Sequence, residues 1–134
     1  MSLVLDASVA AAWVLPDEEN SVADAILHRV AAEGAVAPSL IWHELRNIFL
    51  MAARRGRLPQ DEIVPSLLRL RRLPIETVDV SASGDATLIG LASTYGLTAY
   101  DAAYLALAED RDLPLATADR TLRLACEIHE VALV

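Results

Sequence analysis

Short runs of apolar residues alternate along the chain with longer segments in which apolar residues recur at helical spacing. The runs at 3–5, 35–37, 75–78 and 113–116 predict buried strands, because continuous apolar strands need cover on both sheet faces. The segments after them predict helices at 8–14, 21–33, 39–55, 59–73, 83–96 and 98–109, then a short helix from Asp119 and a strand near 128–133. This alternation is typical of an α/β protein with a parallel sheet.

Several boundaries are marked by helix-starting and helix-ending residues. The D-E-E-N stretch at 17–20 supplies acids suited to the first turn of the helix that follows, and Gly34 ends that helix. Ser39 is the expected N-cap of the next helix. Pro65 predicts either a kink or a late start in the helix at 59–73.

The 134 residues, 54% of them hydrophobic, predict a single domain over residues 1–134 with a sizeable core. Its expected architecture is a three-layer α/β/α sandwich with a central, mainly parallel sheet. No apolar run approaches the roughly 18 residues of a membrane span. The N-terminus lacks a signal-peptide pattern, and Cys126 is the single cysteine, so we expect a cytoplasmic protein with no membrane association.

Three aspartates follow strands or begin helices. Asp6 ends the first strand, Asp119 follows the run at 113–116, and Asp101 begins an apolar helix that should be central. Each has an alternative explanation as a helix cap, and Thr98 with Asp101 has the spacing of a capping box.

Glu44 is harder to explain by capping. With Ser39 as N-cap it lies beyond the first turn, in line with Ile41 and Ile48 on a stripe that should face the core. No arginine lies three or four residues away, and a buried unpaired carboxylate costs several kcal/mol or changes its pKa.

All four acids are predicted to meet at the carboxyl ends of parallel strands, where such sheets bind ligands. Clustered carboxylates repel one another unless a hard divalent cation compensates them. One or two such ions can activate water for phosphodiester cleavage. Phosphoryl transfer through an aspartyl phosphate is disfavoured, because the chain contains no lysine to hold the phosphoryl group.

The net charge of −8 argues against ordinary nucleic-acid binding, although metal ions would offset the four acids of the proposed site. All 11 basic residues are arginines, and six of them lie between residues 54 and 72. Arginine suits phosphate geometry, but this Arg54–Arg72 segment is equally typical of two solvated helix faces.

Four motifs occur in order: L-V-L-D-A-S from residue 3, W-H-E-L-R-N from 42, L-T-A-Y-D-A-A-Y-L-A-L-A from 97 and L-A-T-A-D-R-T-L from 115. Together they resemble the PIN-domain ribonucleases, specifically the VapC-type toxins of bacterial and archaeal type II toxin–antitoxin systems. The resemblance covers essentially the whole chain, and Y-D-A-A-Y-L-A-L-A is its most distinctive part.

The resemblance implies an endoribonuclease that depends on one or two Mg²⁺ or Mn²⁺ ions. The residues that match the family's catalytic and metal-binding acids are Asp6, Glu44, Asp101 and Asp119. Ser8 and Thr117 match hydroxyl positions that help to hold the metal or its waters, and Asn47 matches a polar position one turn beyond the glutamate. The implied partners are RNA, a cognate antitoxin that covers the acidic groove, and a second copy of the chain.

Two other functions fit the same residues. In a non-catalytic binding module the acids would only cap helices, and a DNA-directed metal-dependent nuclease would use the same cluster on another substrate. His28, His43 and His129 lack metal-ligand spacing among themselves or to Cys126, which we treat as a small hydrophobe. Trp13 and Trp42 fit RNA or antitoxin contacts as well as packing, and Tyr100 and Tyr104 are expected to pack near the acids.

Overall fold

The computed structural model describes residues 2–18 and 20–134. Within that part of the chain, the sheet consists of β1 (Val4–Leu5), β2 (Ala35–Pro38), β3 (Ile75–Val78) and β4 (Leu115–Ala116). The strand order is β3-β2-β1-β4, and every neighbouring pair is parallel. The carboxyl ends of all four strands therefore lie at one edge of the sheet.

Helices follow each strand, as the alternation of segments predicts. They are α1 (Ala7–Ala12), α2 (Ser21–Glu33), α3 (Ile41–Arg54), α4 (Ile63–Leu70), α5 (Asp85–Tyr95), α6 (Ala99–Arg111) and α7 (Arg120–Ile128). Short 3₁₀ turns at Gln60–Glu62 and Ala82–Gly84 precede α4 and α5. The predicted three-layer α/β/α sandwich with a parallel sheet is confirmed.

The core lies on both faces of β1, β2 and β4, whose residues are buried. α6 packs against these three strands and buries side chains on most of its circumference, which confirms that it is a central helix. Phe49 of α3 and Tyr104 of α6 are among the largest fully buried side chains. Burial of this kind stabilises a fold by about 1.5–3 kcal/mol per large apolar side chain.

Most predicted helix ends are confirmed, and two have clear backbone causes. Gly34 after α2 has φ 77° and Gly96 after α5 has φ 65°, conformations that glycine adopts without steric cost. Of the two explanations for Pro65, the late start is correct, because the α-helix begins only at Ile63. None of the helices in the described residues has the length and apolar character of a membrane span.

Three local expectations are wrong. Ser39 does not cap α3, because the cap position falls on Leu40 and no side chain makes a capping hydrogen bond there; the Ser39 N–H donates to the carbonyl of Val78 at the sheet edge. The predicted last strand is reduced to a single bridge between Leu133 and Leu115. The acids before α2 do not lie in its first turn, where Asp24 stands instead.

The side chain of Asn20 caps α2 by accepting from the N–H groups of Val22 and Ala23. Asp17 and Glu18 turn away from the helix and pair with Arg57. Glu19, the remaining acid of that stretch, lies outside the described residues.

Candidate metal centre

Asp6 follows β1 directly and is buried at the carboxyl edge of the sheet. Its Oδ2 accepts hydrogen bonds from the hydroxyls of Ser8 at 2.6 Å and Thr117 at 2.7 Å. Burial raises the pKa of Asp6 above its ordinary value, and these two hydrogen bonds oppose the rise. Although Asp6 is the N-cap residue of α1, its carboxylate makes no capping hydrogen bond, so the cap explanation does not account for it.

Ser8 and Thr117 connect the start of α1 to the segment between β4 and α7. The Ser8 hydroxyl accepts from the N–H of Ala118 at 3.0 Å, and the Thr117 hydroxyl accepts from the N–H of Asp119 at 3.0 Å. Both hydroxyls donate to the same oxygen of Asp6. The two residues therefore fix the orientation of Asp6 and the position of the backbone that carries Asp119.

Glu44 lies in the first turn of α3, not beyond it, because the helix begins at Ile41. Its half-buried carboxylate caps no helix and instead accepts a hydrogen bond of 2.7 Å from the hydroxyl of Tyr104. Burial raises the pKa of Glu44 to about 7; the Tyr104 hydrogen bond opposes this rise, and the charges of Asp6 and Asp101 add to it.

Asp101 lies in the first turn of α6, where Thr98 is the N-cap residue. The Thr98 hydroxyl accepts from the N–H of Asp101 at 3.1 Å, so a neutral side chain caps this helix. Burial raises the pKa of Asp101 to about 6, the charges of Asp119 and Asp6 add to this rise, and a hydrogen bond with the side chain of Thr98 opposes it.

Asp119 is the N-cap residue of α7, and its Oδ1 accepts from the N–H of Thr121 at 3.1 Å. The capping explanation therefore applies to this acid. Its charge also acts on Asp101, which places it in the same electrostatic group.

The structure thus places the four acids near one sheet edge, where the charges of Asp6 and Asp101 act on Glu44 and the charges of Asp119 and Asp6 act on Asp101. Asn47 is exposed one turn after Glu44, and the described hydrogen bonds do not tie it to the acids. Across the described residues, no group of three or more His, Cys, Asp or Glu side chains is arranged so that it could hold a metal ion by itself.

The PIN domain family model matches residues 3–128 of this chain. The chain belongs to the PIN domain family. A curated relative of this PIN domain, ribonuclease VapC3 from Pyrobaculum aerophilum, is 35% identical over 124 residues, which span 91% of this chain and 92% of that protein. The predicted family membership and the relation to VapC proteins are confirmed.

Solved structures share the PIN domain fold at lower identity. PAE2754 from Pyrobaculum aerophilum superposes with a TM-score of 0.72 at 24% identity, over 93% of this chain and 86% of that one. FitAcB from Neisseria gonorrhoeae gives a TM-score of 0.58 at 22% identity, over 98% and 95%. A toxin–antitoxin complex from Klebsiella pneumoniae superposes with a TM-score of 0.56 at 17% identity, over 88% of this chain and 87% of that one. These likenesses establish the fold.

Tyr104 of the PIN domain is a site residue that the sequence interpretation left without a role. It lies three residues after Asp101 on α6, a spacing that places both side chains on the same helix face. This spacing is the sequence signal from which a place for Tyr104 beside the acids could have been predicted. Burial and the neighbouring charges of Glu44 and Asp6 raise the pKa of Tyr104, so it keeps its proton at neutral pH.

The other candidates lie away from the acids or in the core of the domain. His129 contacts Tyr95 at 2.7 Å and Glu109 at 2.8 Å, while Trp13 donates to the carbonyl of Ala23. Cys126 is buried, and burial raises its pKa to about 11, which agrees with its interpretation as a small hydrophobe.

Proposed function

We propose that this PIN domain is a metal-dependent endoribonuclease whose catalytic and metal-binding acids are Asp6, Glu44, Asp101 and Asp119. The observation that carries the proposal is the placement of these acids at the carboxyl edge of the parallel sheet, with Asp6 bound by the hydroxyls of Ser8 and Thr117 and Glu44 bound by that of Tyr104. In keeping with this placement, the pKa of Glu44 is raised to about 7 and that of Asp101 to about 6. Carboxylates that are partly buried and face one another are unfavourable in their ionised form at neutral pH, and a bound cation reverses this. The curated relative is named a ribonuclease, which supports RNA as the substrate.

The donor set fits Mg²⁺ or Mn²⁺. All four side chains offer oxygen ligands, which hard divalent cations prefer. The described residues contain no group of three such side chains that could hold a metal ion, but Mg²⁺ commonly binds through one or two carboxylates, several waters and substrate phosphate oxygens. When bound, the metal would supply Lewis-acid polarisation of the phosphodiester and an activated water.

The chain's own residues prepare the acids for this task. The hydroxyls of Ser8 and Thr117 orient Asp6, and Tyr104 holds the carboxylate of Glu44 from the core side. Because Tyr104 keeps its proton, it donates to the ionised form of Glu44 and favours the state that can bind a cation. We further propose that Asn47, one turn after Glu44, contacts metal-bound water or phosphate.

We also propose that the chain is the toxin of a toxin–antitoxin pair and forms a homodimer. One structure of the same fold is a toxin–antitoxin complex, which supports an antitoxin as partner. The acidic sheet edge is suited to a basic side chain of that partner, because charge-assisted hydrogen bonds to carboxylates are among the stronger polar contacts.

The test is cleavage of diverse RNAs by the purified chain in Mn²⁺, in EDTA, and with Asp101→Asn. Asp85→Asn is the matched control, because Asp85 also lies in the first turn of a helix but is not one of the four acids. We expect cleavage by the intact chain and by Asp85→Asn in Mn²⁺ only. DNA of the same sequences tests the alternative of a DNA-directed nuclease.

Two results would contradict the proposal. Cleavage by Asp101→Asn at the rate of the intact chain would show that this acid is not catalytic. An intact chain that binds RNA but does not cut it in any divalent metal would favour the non-catalytic binding module.

A further inference from the structure

A cavity of about 300 Å³ opens directly beside the proposed metal centre. Ser8 and Asp119 form part of its wall, so it is continuous with the acids. Its apolar lining includes Leu15 and Ile48, and its remaining charged residues are Glu18 and Arg57. By contrast, a cavity of about 280 Å³ between β3, α5 and α6 is lined by none of the four acids.

Arg57 is the one cation among the described residues that line this cavity. It lies just after α3, and its guanidinium is held by two carboxylates from the segment between α1 and α2, 40 and 39 positions away. Nε and Nη2 donate to Asp17 at 2.7 and 2.9 Å, and Nη2 also donates to Glu18 at 2.8 Å. The side chain remains 31% exposed.

These contacts use only part of the donor capacity of Arg57. A guanidinium has five N–H donors in a fixed plane, and the three bonds to Asp17 and Glu18 use those on Nε and Nη2. Among the described residues, the hydrogen bonds of Arg57 include none from Nη1. A guanidinium that is anchored on one side and has donors left on the other is suited to an incoming phosphate.

The anchoring also solves an electrostatic problem. An arginine in this cavity wall without a fixed partner would be attracted to Asp119, which lines the same cavity, and would then compete with a bound metal. Asp17 and Glu18 provide opposite charge at a fixed position and so keep the guanidinium in the cavity wall.

We propose that Arg57 binds a phosphate of the RNA strand next to the one that is cleaved, with Asp17 and Glu18 as the residues that position it. This inference rests on the proposed function, since it assumes that RNA enters the acidic edge. It assigns the cavity between Asp119 and Arg57 to the nucleotide that joins the two phosphates. Arg57 thereby sets the register of the strand on the metal centre.

The experiment measures binding of short single-stranded RNA in Mg²⁺ in the Asp101→Asn background, in which the RNA should stay intact. For single strands, log K falls with log salt concentration by roughly 0.7 per neutralised phosphate. We expect Arg57→Gln to reduce that slope by about 0.7, and Arg57→Lys to retain the slope. Arg111→Gln is the matched control, because Arg111 forms an exposed ion pair with Glu76 at the other end of α6 and should leave the slope unchanged.

A second measurement replaces single phosphates of the RNA by neutral methylphosphonates. One replacement next to the cleaved position should weaken binding in the background protein and have no further effect in Arg57→Gln. If Arg57 only stabilises the fold by joining the α1–α2 segment to the end of α3, Arg57→Gln would lower the melting temperature. The salt slope and the effect of the methylphosphonate replacement would then be the same as in the background protein. That result would overturn the inference.

The failure of the proposed function can be told apart from the failure of this inference. Cleavage by the intact chain in Mn²⁺ tests the function, whereas the salt slope tests Arg57. If the intact chain cleaves RNA but the salt slope of RNA binding is the same with and without Arg57, the inference about Arg57 is wrong and the proposed function stands. A slope that depends on Arg57 without cleavage supports the phosphate contact and contradicts the nuclease, and an intact chain that neither binds nor cuts RNA overturns both.

Discussion

The hydroxyl of Tyr104 on α6 donates a hydrogen bond of 2.7 Å to the carboxylate of Glu44 on α3, across 60 positions of sequence. Tyr104 is fully buried, whereas Glu44 is half-buried at the sheet edge. A core side chain therefore holds an acid of the proposed metal centre. The contact depends on the central position of α6, which packs against β1, β2 and β4.

Replacement of Tyr104 by phenylalanine should weaken metal binding more than it weakens the fold. The ring still fills the core, but Glu44 loses the one hydrogen bond that opposes the rise of its pKa, so this pKa should exceed about 7. We expect RNA cleavage at pH 7 to fall by about 10- to 100-fold, as for other residues that support metal ligands, with partial recovery at pH 8.5. Tyr95→Phe is the control, because Tyr95 pairs with His129 instead. Equal pH profiles for the two variants would contradict a role for Tyr104 at the site.

The stability of the metal-free protein should decrease as the pH rises towards neutrality. Burial and neighbouring acids raise the pKa of Glu44 from 4.5 to about 7 and that of Asp101 from 3.8 to about 6. Each group favours the fold below its unfolded pKa, and this contribution is lost as the pH rises through the folded value. Thermal unfolding with and without Mg²⁺ should therefore show the larger metal effect at pH 8 and the smaller one at pH 5. The same metal effect at both values would count against the site.

Substitutions of Thr98 and Asp101 should have different effects, because we expect Thr98 to cap α6 and Asp101 to bind metal. Thr98→Ala removes the side chain that caps α6 and should cost about 1 kcal/mol of unfolding free energy. Asp101→Asn should leave the cap in place, relieve repulsion from Asp119 and Asp6, and raise the melting temperature of the metal-free protein at pH 8. Its RNA cleavage should fall by more than roughly 100-fold, beyond the usual effect of a residue that only supports a ligand. Loss of stability in Asp101→Asn with activity intact would assign the capping role to Asp101.

Thr117→Val should affect both stability and activity. The substitution keeps the shape of the side chain but removes one of the two hydroxyls that donate to buried Asp6. Leaving a buried acceptor with fewer donors costs about 1–3 kcal/mol, and misorientation of Asp6 should lower cleavage by about 10- to 100-fold. Thr94→Val on the exposed side of α5 is the control. Chemical denaturation and cleavage rates of the two variants give the comparison, and equal values for both would mean that Thr117 does not hold Asp6.

The sequence by itself determined the order of elements and most of their ends. Short apolar runs such as Val4–Leu5 are recognisable as strands, because a strand of a parallel sheet is covered by helices on both faces and is therefore apolar throughout. The bounds of α2, Ser21–Glu33, agree with those predicted, since the helical period and Gly34 are local signals. The position of acids at the carboxyl ends of strands also follows from sequence, because parallel topology brings those ends to one edge.

Only the tertiary structure decided which groups touch. The Ser39 N–H bonds to Val78 of the neighbouring strand while Leu40 takes the expected cap position, and Leu133 forms a single bridge where a strand was predicted. The anchoring of Arg57 by Asp17 and the contact of Tyr104 with Glu44 join residues 40 and 60 positions apart. The periodicity of apolar residues predicts the face of a helix or strand on which a side chain lies. Hydrogen-bond partners and raised pKa values depend instead on distances of a few ångströms between segments that are far apart in sequence, and only the packing of the folded chain sets those distances.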